Sequence, residues 1–119
     1  MAGFDSRSGF TFGDIVLAPY ALPGEDAVEH RTCVIVSSRT YNQQRSEVLV
    51  MAVVAQNRPD ASTGEMAVQE PEAAGLDRGA AFRPVLATIE QRLVRLILGR
   101  LGEDDHDRLR HLLQLIVGG

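Results

Sequence analysis

Apolar and polar positions follow one another through the first half of the chain in short blocks bounded by proline, glycine and acidic residues. Phe12 to Pro19 reads as a strand, with Phe12, Asp14 and Val16 on one face and Gly13, Ile15 and Leu17 on the other, because successive side chains of an extended backbone point to opposite sides. Pro19 ends it. Tyr20 to His30 has Pro23-Gly24 at its centre and three acids around it, which predicts a loop too polar to pack as a core element. Arg31 to Ser38 is β-branched and largely apolar on both faces, the pattern of an interior strand. Ser38 is placed to cap one helical turn through Tyr41-Asn42-Gln43-Gln44. Glu47 to Gln56 then forms the most hydrophobic strand. Val48, Val50, Ala52 and Val54 line one side and Leu49, Met51, Val53 and Ala55 the other, so this strand is expected to be central, crossing a barrel or pairing at a subunit interface.

The second half is less regular. Asn57 to Gly64 is a turn-rich loop, Glu65 to Gln69 a short strand, and Glu72-Ala73-Ala74 a short helical segment within an irregular link. Phe82 to Leu86 is a further strand, Thr88 begins a turn, and Gln91 to Leu98 is an apolar stretch interrupted by Arg92 and Arg95. Glu103 to Val117 is an amphipathic helix with acids in its first turn, an apolar seam at Leu109, Leu112, Leu113 and Ile116, and Gly118-Gly119 beyond its end. Those early acids would oppose anionic lipid, so the seam is expected to close a small barrel rather than to lie on a membrane. Five or six short strands and one long helix predict a mainly β fold, a small twisted antiparallel sheet or barrel with helices packed outside. Residues 1–11 are expected to form a loose arm and residues 12–119 a single domain.

Composition narrows the function classes. The chain has 119 residues, 45% hydrophobic and 24% charged, which is ordinary for a globular domain. Its single cysteine, Cys33, excludes an internal disulfide framework, and a reducing cytoplasm fits best. No basic segment leads into an apolar run at the N-terminus, and no stretch approaches the roughly 20 apolar residues that span a bilayer. The formal net charge of -4 argues against a generic nucleic-acid binder. The distribution of charge still leaves room for a locally positive face, because the first thirty residues hold one arginine against five acids whereas residues 31–100 hold nine arginines against seven. Every basic residue is arginine, whose planar fork suits phosphate and carboxylate.

Three chemistries are conceivable for these residues. His30, His106 and His111 have no ligand spacing and no glycine cluster has the spacing of a phosphate loop, so neither a metal nor a cofactor is expected. Cys33 is flanked by apolar residues and reads as a buried thiol rather than a nucleophile. Metal-independent cleavage of RNA remains. There the 2′-hydroxyl attacks its own phosphate, and the protein positions the strand, moves protons and stabilises charge on the non-bridging oxygens. Arg31 offers two convergent donors for the last task. Its other reading is a rim arginine paired with Glu29 or Asp26, and sequence leaves both open.

The ordered series Gly13-Asp14-Ile15-Val16, Arg31-Thr32-Cys33-Val34-Ile35-Val36-Ser37-Ser38, Tyr41-Asn42 and Val48 to Gln56, with Ala87-Thr88-Ile89 and Leu98-Gly99-Arg100-Leu101 further on, resembles the MazF/PemK family of toxin endoribonucleases. The resemblance implies an SH3-like barrel with added helices, a homodimer, cleavage of single-stranded RNA without a metal, and an antitoxin whose acidic tail enters the RNA groove. It puts Arg31 at the family's catalytic arginine and the loop ending in His30 beside the substrate groove, where His30 is a candidate for proton transfer. Gln56, Arg58 and Ser62 join Arg31 as RNA-binding candidates on the same ground. Two departures stand out. Arg31 is followed by Thr32 rather than proline, and Val54 occupies the position of the family's catalytic threonine, matching its shape without its hydroxyl. Ser37, Ser38, Ser62 and Thr88 are the hydroxyls that could compensate, and acids at Glu25, Asp26 and Glu29 would repel phosphate if they faced the groove.

Overall fold

A computed structural model describes residues 9–24, 26–55 and 64–118. Among them, six strands form one antiparallel sheet: β1 (Asp14–Tyr20), β2 (Glu29–Ile35), β3 (Glu47–Ala55), β4 (Met66–Ala67), β5 (Ala80–Glu90) and β6 (Leu96–Arg100), in the spatial order β4-β5-β3-β2-β1-β6. Helix α1 (Arg39–Gln44) joins β2 to β3 and helix α2 (Glu103–Val117) ends the chain, while single 3-10 turns at Glu72–Ala74 and Gln91–Leu93 flank β5. The expected β fold with outer helices is therefore present. β3, whose two faces are both apolar, lies between β2 and β5 in the sheet interior.

Both faces of the sheet are covered, and the two layers differ. One holds Val16, Ala18, Tyr20, Cys33, Ile35, Val48, Val50 and Ala52, with Phe10, Val54 and Val85 against it. The Tyr20 hydroxyl donates to the Val85 carbonyl, although β2 and β3 separate their strands, so this face is concave and the sheet curls into a half-barrel. The convex face carries Ile15, Val34, Met51 and Phe82, and α2 lays Leu109 and Leu112 on it. Burying each leucine is worth about 2 kcal/mol. The apolar seam ends earlier than its pattern suggests, because Ile116 at the last turn is exposed.

Curling requires β5 to bend. Its pairing with β3 jumps from Met51–Leu86 to Ala52–Arg83, leaving Pro84 and Val85 as a bulge. Proline lacks a donor N–H, and a bulge is where a strand tolerates it.

Several boundaries differ from those read in the sequence. β1 runs on through Tyr20, which is buried, because its pairing with β2 continues to Tyr20–Glu29; β2 accordingly starts at Glu29, and His30 belongs to a strand rather than a loop. Leu22, in the segment expected to be too polar to pack as a core element, is buried in the concave layer. Thr88 pairs with Leu49 in mid-strand instead of starting a turn, since β5 extends from Ala80 to Glu90. Phe10 packs on the concave layer and its carbonyl accepts from Asn42 Nδ2 at 2.9 Å, so the end of the expected loose arm is fixed.

Candidate functional site

The site candidates lie where β1, β2 and β3 end at the mouth of the half-barrel. β2 pairs Cys33 with Ala52 of β3, and two residues away from that pair, towards the mouth, come Arg31 and Val54. Strand alternation puts Arg31 on the face of Cys33, and Val54 packs on the same concave layer. The structure thus presents the arginine and the valine on one face of neighbouring strands.

Arg31 is oriented rather than swinging in solvent. Its Nε donates to the Tyr20 carbonyl at 2.9 Å, and its Nη2 lies 3.9 Å from Oε1 of the exposed Glu29, with the arginine side chain a quarter exposed. The contact with Glu29 is the rim pairing that the sequence offered as one reading of this arginine. Tyr20 serves two ends of the site, its carbonyl holding Arg31 and its hydroxyl holding Val85. Burial, with a smaller contribution from Cys33, pushes the Tyr20 phenol up to about 12. Burial alone pushes the Cys33 thiol up to about 12, and the thiol donates weakly to the Arg31 carbonyl at 3.6 Å. A thiol held protonated on the barrel floor is no nucleophile.

The other candidates among the described residues do not converge on this pair. His30 is exposed and, as the neighbour of Arg31 in β2, faces the opposite side of the sheet. Ser37 donates to Asn42 Oδ1 and accepts from the Leu49 amide, Ser38 caps α1 through the Tyr41 amide, and Thr88 sits opposite Leu49. These hydroxyls lie towards the far end of the strands from Arg31. Gln56, Arg58 and Ser62 lie outside the described residues. Among the described residues no group of three or more His, Cys, Asp or Glu side chains could hold a metal ion. No helix of the described residues is long and apolar enough to cross a membrane.

One part of this region has no signature in sequence. Arg83 of β5 forms an ion pair with Glu65, Nε to Oε2 at 2.6 Å, and the Glu65 side chain is fully buried. The partners are eighteen residues apart with no motif between them. Only the strand pairing, which places Met66 opposite Phe82, could have revealed them.

The same fold recurs among known proteins. A family model described as "PemK-like, MazF-like toxin of type II toxin-antitoxin system" matches residues 11–117. The chain belongs to this family. Among solved structures, the MazF fold of Deinococcus radiodurans superposes with a TM-score of 0.72 at 17% identity, covering 92% of this chain and 97% of that one. A mycobacterial endoribonuclease in complex with its cognate antitoxin gives 0.70 at 13% identity, with 93% and 99% covered. The Mycobacterium tuberculosis toxin MazF-mt6 gives 0.63 at 14%, with 86% and 93% covered. At such identities the likeness speaks for the MazF/PemK fold, and the chemistry of the site rests on its own residues. No curated protein matches the chain by sequence.

Proposed function

We propose that this protein is a toxin endoribonuclease that cleaves single-stranded RNA without a metal ion, with Arg31 as the group that meets the scissile phosphate. The supporting observation is the placement of Arg31, anchored through Nε to a backbone carbonyl at the barrel mouth, in a chain of the PemK-like, MazF-like toxin family. In the reaction the 2′-hydroxyl loses its proton and attacks the adjacent phosphorus, and the bond to the 5′-oxygen breaks as that oxygen gains a proton. The products are a 2′,3′-cyclic phosphate and a 5′-hydroxyl. Arg31 exchanges its long contact with Glu29 for the phosphate, where a charge-assisted fork stabilises the five-coordinate dianion. Val54 keeps the wall of the site packed but offers it no donor, which slows the reaction.

An acidic antitoxin tail is the proposed partner at the same mouth, in keeping with the relatives solved as MazE-MazF and toxin–antitoxin complexes. A homodimer is proposed through β6, an edge strand on which Leu96, Ile97 and Leu98 are all exposed. The cytoplasm is the proposed compartment.

Purified protein is expected to cut mixed-sequence single-stranded RNA in EDTA and Arg31→Ala to abolish the cut. An intact RNA ladder at excess protein refutes catalysis. Val54 specifically favours a second reading, a module that binds RNA or a protein partner without turnover. Retained RNA binding with no cleavage selects it.

A further inference from the structure

The bulge that bends β5 leaves a cleft of about 360 Å³ between Arg83, Pro84 and Val85 on one side and Leu22 and Pro23, just beyond β1, on the other. Small-molecule sites begin at roughly this size, with mostly apolar walls and few polar groups. Four of the five lining residues are apolar and the fifth is an arginine. The cleft adjoins Arg31 through Tyr20, whose carbonyl holds that arginine and whose hydroxyl holds the carbonyl of Val85.

Arg83 is fixed by a costly device. Glu65 Oε2 accepts from Arg83 Nε at 2.6 Å, while Glu65 Oε1 is buried with no hydrogen-bond partner among the described residues. Only the carboxylate of this pair is buried, the Arg83 side chain being about a third exposed, so Glu65 anchors the guanidinium by its Nε and sets its orientation. Because the carboxylate neutralises it, Arg83 is suited to donate a planar pair of hydrogen bonds rather than to collect phosphate by net charge.

We infer that this cleft is a nucleobase subsite of the proposed endoribonuclease, in which Arg83 selects guanine or cytosine at one fixed position of the RNA and Glu65 positions Arg83. The inference rests on the RNA-cleaving reading. Its chemistry follows from the bases. Guanine offers adjacent acceptors at O6 and N7, and cytosine at O2 and N3. On adenine and uracil each acceptor is next to a donor or stands alone, so the arginine fork meets a mismatched edge. The proline, leucine and valine walls pack against the flat face of an unstacked base, the form in which single-stranded RNA is read.

Sequencing the ends cut from a randomised single-stranded RNA pool in EDTA, alongside filter binding of the same pool, provides the test. Wild type is expected to show about tenfold or greater enrichment of guanine or cytosine at one position relative to the cut, as a bidentate arginine contact supplies. Arg83→Lys keeps the charge opposite Glu65 but loses the fork, and is expected to erase that enrichment. Arg92→Lys, an exposed arginine paired with Glu90, is expected to keep it. The double variant Glu65→Leu/Arg83→Met removes the ion pair whole and is expected to behave like Arg83→Lys, with a thermal melt verifying its fold. The same base preference in wild type and a folded Arg83 variant overturns the inference, as does a preference for adenine or uracil that needs Arg83. Weakened binding of an acidic peptide with unchanged base preference also overturns it, making the cleft a carboxylate site. If Arg31-dependent cleavage persists without an Arg83-dependent preference, the endoribonuclease reading stands and only the subsite falls. If wild type neither binds nor cuts RNA, both fall.

Discussion

Arg31 and Val54 stand on adjacent strands of one concave face, and on the proposed reading the valine leaves that face one hydroxyl short. Val54→Thr restores a donor with little change of shape, and is expected to raise cleavage by up to about 100-fold, the loss typical for one missing transition-state contact. Initial rates on one RNA, with Arg31→Ala as the blank, measure it. Beneath the site, Tyr20 and Cys33 make a second, independent prediction. Both are raised to about 12 in the folded protein, from ordinary values of 10.0 and 9.0. Above pH 9 the unfolded thiol gives up its proton while the folded thiol keeps it, and above 10 the phenol follows. The unfolded chain then binds fewer protons, so stability present in full below pH 9 is lost as pH rises towards 12. Urea midpoints are expected to fall across this range, and less steeply in Cys33→Ala.

Among the elements, the close seam between the 3-10 turn Glu72–Ala74 and β6 depends on two glycines. A Cβ at Gly99 would run into the Ala74 carbonyl, and one at Gly75, which also has φ of 83°, into the Leu98 carbonyl. Gly99→Ala is expected to cost at least about 1–3 kcal/mol, read as a lower melting temperature with the sheet retained. The elements also differ in how legible they are in the chain. Helix α2 matches its sequence reading from Glu103 to Val117, and Ser38 caps α1 as expected, because caps and helical seams are local signals. β3 announces its central place through two apolar faces. β5 does not announce its length, since the sequence shows a strand only over Phe82 to Leu86 and a turn from Thr88, whereas pairing with β3 carries it from Ala80 to Glu90. The arginine at the mouth is legible through family resemblance, whereas the Glu65–Arg83 pair exists only after β4 and β5 have met.

At the scale of the whole molecule, the described edge strand β6 exposes Leu96, Ile97 and Leu98, an apolar edge of the kind that isolated domains avoid. Ile97→Asp is expected to convert the proposed dimer to a monomer in sedimentation equilibrium, with the monomer's circular dichroism unchanged. Arg100 ties the same strand to the first one, its Nε 3.2 Å from the buried carboxylate of Asp14 across 86 residues of sequence. On the ribosome that separation becomes time. At about 5–20 residues per second, the β6 side of β1 waits on the order of 4–17 s before its partner has been made. The two sides of β1 are therefore completed at different times, the side facing β2 first and the side facing β6 only once Arg100 has been made.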